Sequence, residues 1–252
     1  ARAMIDKYLA LPFGTNPHCP YFNNKRKKIR SGLRVEKGKG TPEEIAEECT
    51  IAAKFARTCI MDLSTDKLKE FLVEHDLGVD CSGFAYHVLN AYSQEKNGKR
   101  IQGSIKTLRT GISGRLIAKL RPAENIGVAT LADERNSVEI KVADLKPSDI
   151  IVFLGTGKDK QYNHVLLITS VERDGDTIRV SYAHSYSWPS DGVYNHGVRE
   201  GDILVHGEDL LGGTWKEQGQ MGADNYTFES ACAAKVVSVR RLKAVSYTHL
   251  TL

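Results

Sequence analysis

Apolar and polar residues change rhythm once along this chain. Helical spacing dominates as far as about Glu95, and short blocks rich in Val, Ile and Tyr dominate from Ile140 onward. Arg2 to Leu11 reads as a helix stopped by Pro12 and Gly14. Thr41-Pro42-Glu43-Glu44 is a start signal: Thr41 is the N-cap, Pro42 fills the first helical position and Glu44 closes a capping box, opening a helix expected to reach about Ile60. Ser64 to Glu74 reads as another helix, stopped near Gly78, and a further one starts at Cys81 and ends near Glu95 before Asn97-Gly98. Residues 104 to 120 are ambiguous and helical at most in part. The β-rich part continues through Val193, Ile203 to His206, and Ala234 to Leu242. Helices first and an antiparallel sheet afterwards predict an α+β fold without internal repeats.

One hairpin in the β-rich half has a readable register. Two apolar runs, Asn163 to Glu172 and Asp176 to Tyr186, flank Arg173-Asp174-Gly175. A three-residue loop with glycine in the left-handed region would put His164 directly across from His184, Leu166 across from Tyr182 and Ile168 across from Val180. A two-residue Asp174-Gly175 loop would instead throw the two histidines onto opposite faces. The three-residue loop is favoured, because it makes one face consistently apolar with both imidazoles at its end.

Val79-Asp80-Cys81-Ser82-Gly83-Phe84 supplies a matching nucleophile. Asp80 is placed as N-cap and Cys81 at the first helical position, where unpaired backbone N–H groups and the helix dipole favour a thiolate. Phe84, Val88 and Leu89 recur so that the helix buries one side. A cysteine at a helix start and two histidines on one sheet face are the parts of an activated thiol: one imidazole takes the proton and the other orients it. The competing reading is a small, inert interior cysteine.

Four motifs in order, Asp80-Cys81-Ser82-Gly83-Phe84, Leu145-Lys146-Pro147-Ser148-Asp149-Ile150, Asn163-His164-Val165 and a strand ending in Ala183-His184, resemble the NlpC family of papain-like cell-wall cysteine peptidases. The resemblance covers about Val79 to Ser187. It implies a papain-like fold in which the nucleophile's helix packs on the sheet carrying both histidines, with Cys81 as nucleophile, His164 as general base and acid, and His184 orienting His164. It also implies that Asp80 and Ser82 bind the free amine of a peptidoglycan stem peptide, and that backbone N–H groups at the helix start form an oxyanion site. The family's Pro-Tyr-x-x-Gly-Gly segment has its nearest match in Pro20-Tyr21-Phe22-Asn23-Asn24, which lacks the glycines and lies far upstream, so Tyr21 competes as a substrate-binding residue with an ordinary packed aromatic. The family's Pro-Gly-Asp turn appears as Pro147-Ser148-Asp149, an exchange expected to be harmless.

Composition bounds the rest. With 252 residues, 41% hydrophobic and 26% charged, the chain supports one elaborated domain over residues 1–244, with a helical and basic insertion at about 21–78. No segment approaches the roughly 20 apolar residues of a membrane span. Cys19, Cys49, Cys59, Cys81 and Cys232 form no Cys-x-x-Cys pair, and Cys49 and Cys59 are expected on one helix. Residues 21–40 hold eight Lys or Arg (Lys25, Arg26, Lys27, Lys28, Arg30, Arg34, Lys37 and Lys39) against Glu36 alone, within a chain of net charge +4. That segment is either a polyanion contact or a solvated loop. The last eight residues, from Val245, look like a translated sequencing adapter and are set aside.

The leading expectation is a Cys-His-His hydrolase cleaving amides of peptidoglycan stem peptides, without a cofactor or metal. By resemblance it works in the cell envelope or outside the cell. An amidase or acyltransferase acting on another acyl group would use the same three residues, and a degenerate binding module is the non-enzymatic alternative. A zinc site drawn from His164, His184, His196 and His206 is a fourth reading, weakened by the turn-like setting of His196 before Gly197.

Overall fold

The computed structural model describes residues 1–24, 33–189, 196–217, 220–221 and 225–246. Its elements are helices α1 (Arg2–Leu9), α2 (Pro42–Ala56), α3 (Thr65–Glu74), α4 (Cys81–Asn97), α5 (Ile112–Leu120), α6 (Pro122–Asn125), α7 (Val128–Ala132), α8 (Tyr226–Cys232) and α9 (Lys243–Ser246). The strands are β1 (Ser137–Glu139), β2 (Ile150–Thr156), β3 (Tyr162–Asp174), β4 (Thr177–Tyr186), β5 (Gly197–His206), β6 (Thr214–Glu217), β7 (Gln220–Met221) and β8 (Val236–Leu242). The fold is α+β, and one antiparallel sheet runs β1-β8-β2-β3-β4-β5-β6-β7.

The helix starts follow local chemistry. Thr41 and Glu44 form the full capping box of α2, and Ser64 caps α3. Such a cap is worth about 1 kcal/mol. α2 stops at Ala56, four residues short of expectation, because Arg57 takes a left-handed conformation at φ 54°. Cys59 therefore lies beyond the helix and exposed, while Cys49 is buried within it. α4 ends on left-handed Gly98. It buries Cys81 through Leu89 without a break, so its first turns are enclosed on every side rather than on the single face its spacing suggested.

Both faces of the sheet are covered. Ile150, Val152, Val165, Leu167, Ala183 and Val198 face the core shared with α1, α2, α3 and α4. The alternate positions Ile151, Phe153, Leu166, Ile168, Val180, Tyr182 and Ile203 face a second core with Trp215, Leu145 and Ala231. Val245 packs in the first core, so the fold makes use of a residue that the adapter reading had set aside. Residues 247–252, Val193 and the basic cluster Lys25, Arg26, Lys27, Lys28 and Arg30 lie outside the described residues.

The hairpin closes differently from expectation. Asp174 faces Thr177, leaving a two-residue loop, Gly175-Asp176, with Gly175 at φ 56°. Val171 faces Val180, but Ile168 faces Tyr182 and Leu167 faces Ala183, because a bulge at Thr169 inserts one residue into β3. The loop alone would have put His164 and His184 on opposite faces, and the bulge restores the parity. They share the side of Leu166, Ile168, Val180 and Tyr182 as expected, as diagonal rather than directly opposed neighbours.

Candidate active site

Three chain segments fix the start of α4. Val79 bridges Tyr21 on one side and Lys39 on the other, so residues far upstream flank the strand-like entry to the helix. Asp80 caps the helix by accepting from the Gly83 N–H at 2.6 Å. The backbones approach closely here. A Cβ on Gly83 would meet the Gly38 carbonyl oxygen at 2.6 Å, and one on Gly38, at φ 72°, would meet the Phe22 carbonyl oxygen at 2.1 Å.

The helix start enters a split in the sheet. β3 pairs with β2 as far as Tyr162, and β4 pairs with β5 as far as Tyr186, yet β3 and β4 face each other only from Leu167 and Ala183 toward the loop. Where they part, the Cys81 thiol points to the Asn163 carbonyl at 4.0 Å and the Val165 N–H points to its sulfur. On the other side the Ser185 hydroxyl donates to the Val79 carbonyl at 2.7 Å. Cys81 thus lies against the backbone on either side of His164, between the two histidine strands.

The histidines form one buried chain with an acid. His164 Nε2 lies 2.7 Å from His184 Nδ1, and His184 Nε2 lies 2.9 Å from Glu217 Oε1. Glu217 also accepts from the Tyr182 hydroxyl at 2.5 Å and pairs with Arg199 at 3.7 Å. Burial works to raise the Glu217 pKa, but His184, Tyr182 and Arg199 outweigh it and the net shift is downward, so the group is a carboxylate. A carboxylate only accepts, so His184 carries its hydrogen on Nε2. With His184 neutral, its Nδ1 accepts from His164 Nε2 and the His164 lone pair is on Nδ1; with His184 charged, its Nδ1 donates to His164 Nε2 instead. Tyr186 stacks on the His164 ring at 3.9 Å between centroids and fixes its plane.

Burial favours the neutral forms of both Cys81 and His164. Burial pushes the Cys81 thiol up to about 12; Asp80 adds to the rise, while Lys39 and the N–H groups of Val165 and Ser82 oppose it. The expectation that the helix start would lower this pKa is overturned, because removal from water outweighs the helix-start groups. Burial, then the neighbouring His184, holds His164 well below its usual range. Moving the proton from sulfur to His164 creates thiolate and imidazolium together, and each then stabilises the other.

Asp80 and Ser82 already have an ammonium between them. Lys39 Nζ lies 2.8 Å from Asp80 Oδ1 and 2.6 Å from Ser82 Oγ, and all three residues are buried. His87 Nε2 holds the Lys39 backbone carbonyl at 2.8 Å. Lys39 is therefore an interior group rather than part of a surface patch, and Arg34 is paired with Glu44. Tyr21 is brought beside Val79 by its backbone, and its hydroxyl accepts from Asn23 at 3.3 Å. The four-histidine set is not assembled: His206 bonds Thr177 at the far end of β5, and among the described residues no three His, Cys, Asp or Glu side chains are placed to hold a metal.

Glu217, Lys39 and Tyr186 were not singled out in the sequence. Thr214-Trp215-Lys216-Glu217 did carry a signal, since Trp215 and Glu217 lie on one face of a strand and a carboxylate at such an inward position calls for a partner. Lys39 was hidden among its basic neighbours.

No family model matches the chain, and neither a curated protein nor a solved structure matches it.

Proposed function

We propose that this protein is a cysteine-dependent hydrolase of amide bonds with a papain-like site, in which Cys81 is the nucleophile, His164 the base and acid, and His184 the residue orienting His164. The observation that carries this reading is the unbroken chain from His164 through His184 to Glu217, beside a Cys81 thiol that lies against the backbone on either side of His164. An inert cysteine has no use for such an arrangement.

His164 Nδ1 takes the thiol proton as sulfur attacks the carbonyl carbon, giving a tetrahedral oxyanion beside the first N–H groups of α4. The imidazolium then gives its proton to the leaving nitrogen, the amine departs and a thioester remains. Water, deprotonated by His164, releases the acid and restores the thiol. His184 and the Glu217 carboxylate stabilise the imidazolium without taking its proton.

The resemblance to the NlpC family favours peptidoglycan stem peptides as substrate. Lys39 favours a second reading, an amidase or acyltransferase on another acyl group, because its ammonium fills the acid and hydroxyl that would greet a stem peptide's free amine. Mass spectrometry of stem peptides, with free and with acetylated amino termini, after digestion by the parent protein and by Cys81→Ala tests both. Cleavage by the parent alone supports hydrolysis, with equal rates on both peptides favouring a site indifferent to the amine. No cleavage of either peptide removes the stem-peptide reading, and cleavage by Cys81→Ala removes the mechanism.

A further inference from the structure

α5 is an inverted helix. Its small residue, Ala118, faces the protein at 8% exposure, while Ile112, Leu116 and Leu120 stand in water at 89%, 57% and 73%. These three recur every four residues and form one stripe along the outer side, with the exposed Ile117 and Leu108 beside it. A helix of a water-soluble surface normally does the reverse. A stripe of large aliphatics turned outward marks a surface that meets something apolar.

The surroundings of the stripe are cationic. Lys106, Arg109, Arg115, Lys119 and Arg121 fall within the same segment, and no Asp or Glu occurs between Lys99 and Ala123. Among the described residues none of the five is in an ion pair, and the Arg109 guanidinium donates to the neutral Asn125 side chain. A cavity of about 460 Å³ beside the helix is lined by Lys106, Arg109, Arg115 and Lys119. The occupant must therefore be apolar and anionic over the same few residues.

We infer that α5 docks this protein on an anionic lipid surface, lying in the plane of the interface with Ile112, Leu116 and Leu120 at the acyl boundary and the flanking cations among the phosphates. A second copy fits poorly, because it would bring two such cationic segments together. Single-stranded nucleic acid fits poorly too, since the segment from Lys99 to Ala123 has no aromatic residue to stack on bases. The helix has nine residues and rests on the surface; no helix of the described residues is long and apolar enough to cross a membrane.

Co-sedimentation with vesicles tests this independently of any enzyme activity. The parent chain should partition onto vesicles of equal parts phosphatidylglycerol and phosphatidylcholine, and much less onto phosphatidylcholine alone. Arg115→Gln should weaken partitioning about fivefold and flatten its salt dependence. Leu116→Ser with Leu120→Ser should weaken it about tenfold or more. Near-ultraviolet circular dichroism checks the fold of the double variant, and Arg115→Gln carries the test if that variant misfolds. The inference is overturned if anionic vesicles hold no more protein than neutral ones, or if neither variant changes partitioning. It is also overturned if the parent forms a concentration-dependent dimer that the double variant abolishes, which would assign the stripe to a second copy.

Discussion

The Lys39 ammonium lies 2.8 Å from the Asp80 carboxylate, and the two residues flank the entry to the cysteine helix from different segments of chain. Both are buried, so the pair exists only because each neutralises the other, and Asp80 must also cap α4. Removing one partner of a buried pair destabilises by about 3–5 kcal/mol, because the other charge is stranded. Lys39→Met should lose stability in that range by denaturant unfolding. Adding Asp80→Asn, which keeps a capping oxygen, should recover most of the loss. Equal stabilities for Lys39→Met and the parent would show that the pair does not persist in solution.

Glu217 is linked to His164 through His184. Glu217→Gln keeps an oxygen to accept from His184 and so keeps the tautomers, but it removes the charge that favours an imidazolium. A hydrogen bond to a charged group is worth about 1.5–3 kcal/mol, which corresponds to roughly a 10- to 150-fold drop in turnover. Losing that charge makes His164 take up its proton at lower pH, so the acid limb of the pH–rate profile should move to lower pH. His184→Gln, whose amide can accept from His164 and donate to Glu217, should leave measurable turnover, whereas His164→Ala should be as inactive as Cys81→Ala. A Glu217→Gln profile that overlays the parent's would exclude the carboxylate from the chemistry.

Two buried thiols have been pushed to the same height for different fates. Burial holds both Cys49 and Cys81 at about 12, but Cys81 lies beside His164, the residue proposed to receive its proton. Iodoacetamide at neutral pH should label the exposed Cys59 and Cys232, label Cys81 measurably, and leave Cys49 unlabelled. In His164→Ala, Cys81 labelling should fall to the level of Cys49. Unchanged labelling in that variant, read by peptide mass spectrometry, would mean that His164 does not activate the thiol.

The bulge at Thr169 sets which face the histidines share. Deleting Thr169 while the loop stays in place shifts β3 by one residue and turns His164 to the other side of the sheet. The deletion variant should keep its far-ultraviolet circular dichroism and lose activity to the level of Cys81→Ala. Retained activity would show that the register is set elsewhere.

Acid should destabilise the fold before its carboxylates titrate. Burial lowers the pKa values of His87 and His164 in the folded protein, so the unfolded chain takes up protons first as pH falls below about 6.5. Stability is complete above that value and falls through lower pH, by at most about 1.4 kcal/mol per pH unit for each group. The lowered pKa of Glu217 acts in the same direction below about 4.5. Denaturant midpoints measured from pH 7.5 to 5 should decline, and His87→Gln should make the decline shallower. A flat profile for the parent would mean that these imidazoles are not buried in solution.

Much of this site was legible in the chain because its signals are local. The capping box at Thr41, the Asp80 cap with Cys81 at the helix start and the alternation along β3 and β4 depend on neighbours a few residues apart, where propensity and period act directly. The sharing of one face by His164 and His184 was also anticipated, although by a loop that does not form. What tertiary structure alone decided are pairings between distant segments and quantities that depend on burial. Lys39 leaves its basic run for the interior because Asp80 and Ser82 wait there, and Glu217 reaches His184 only through the pairing of β4 with β5 and β5 with β6. The thiol's pKa follows how completely packing removes it from water, which is a sum over the whole fold that no spacing along the chain records.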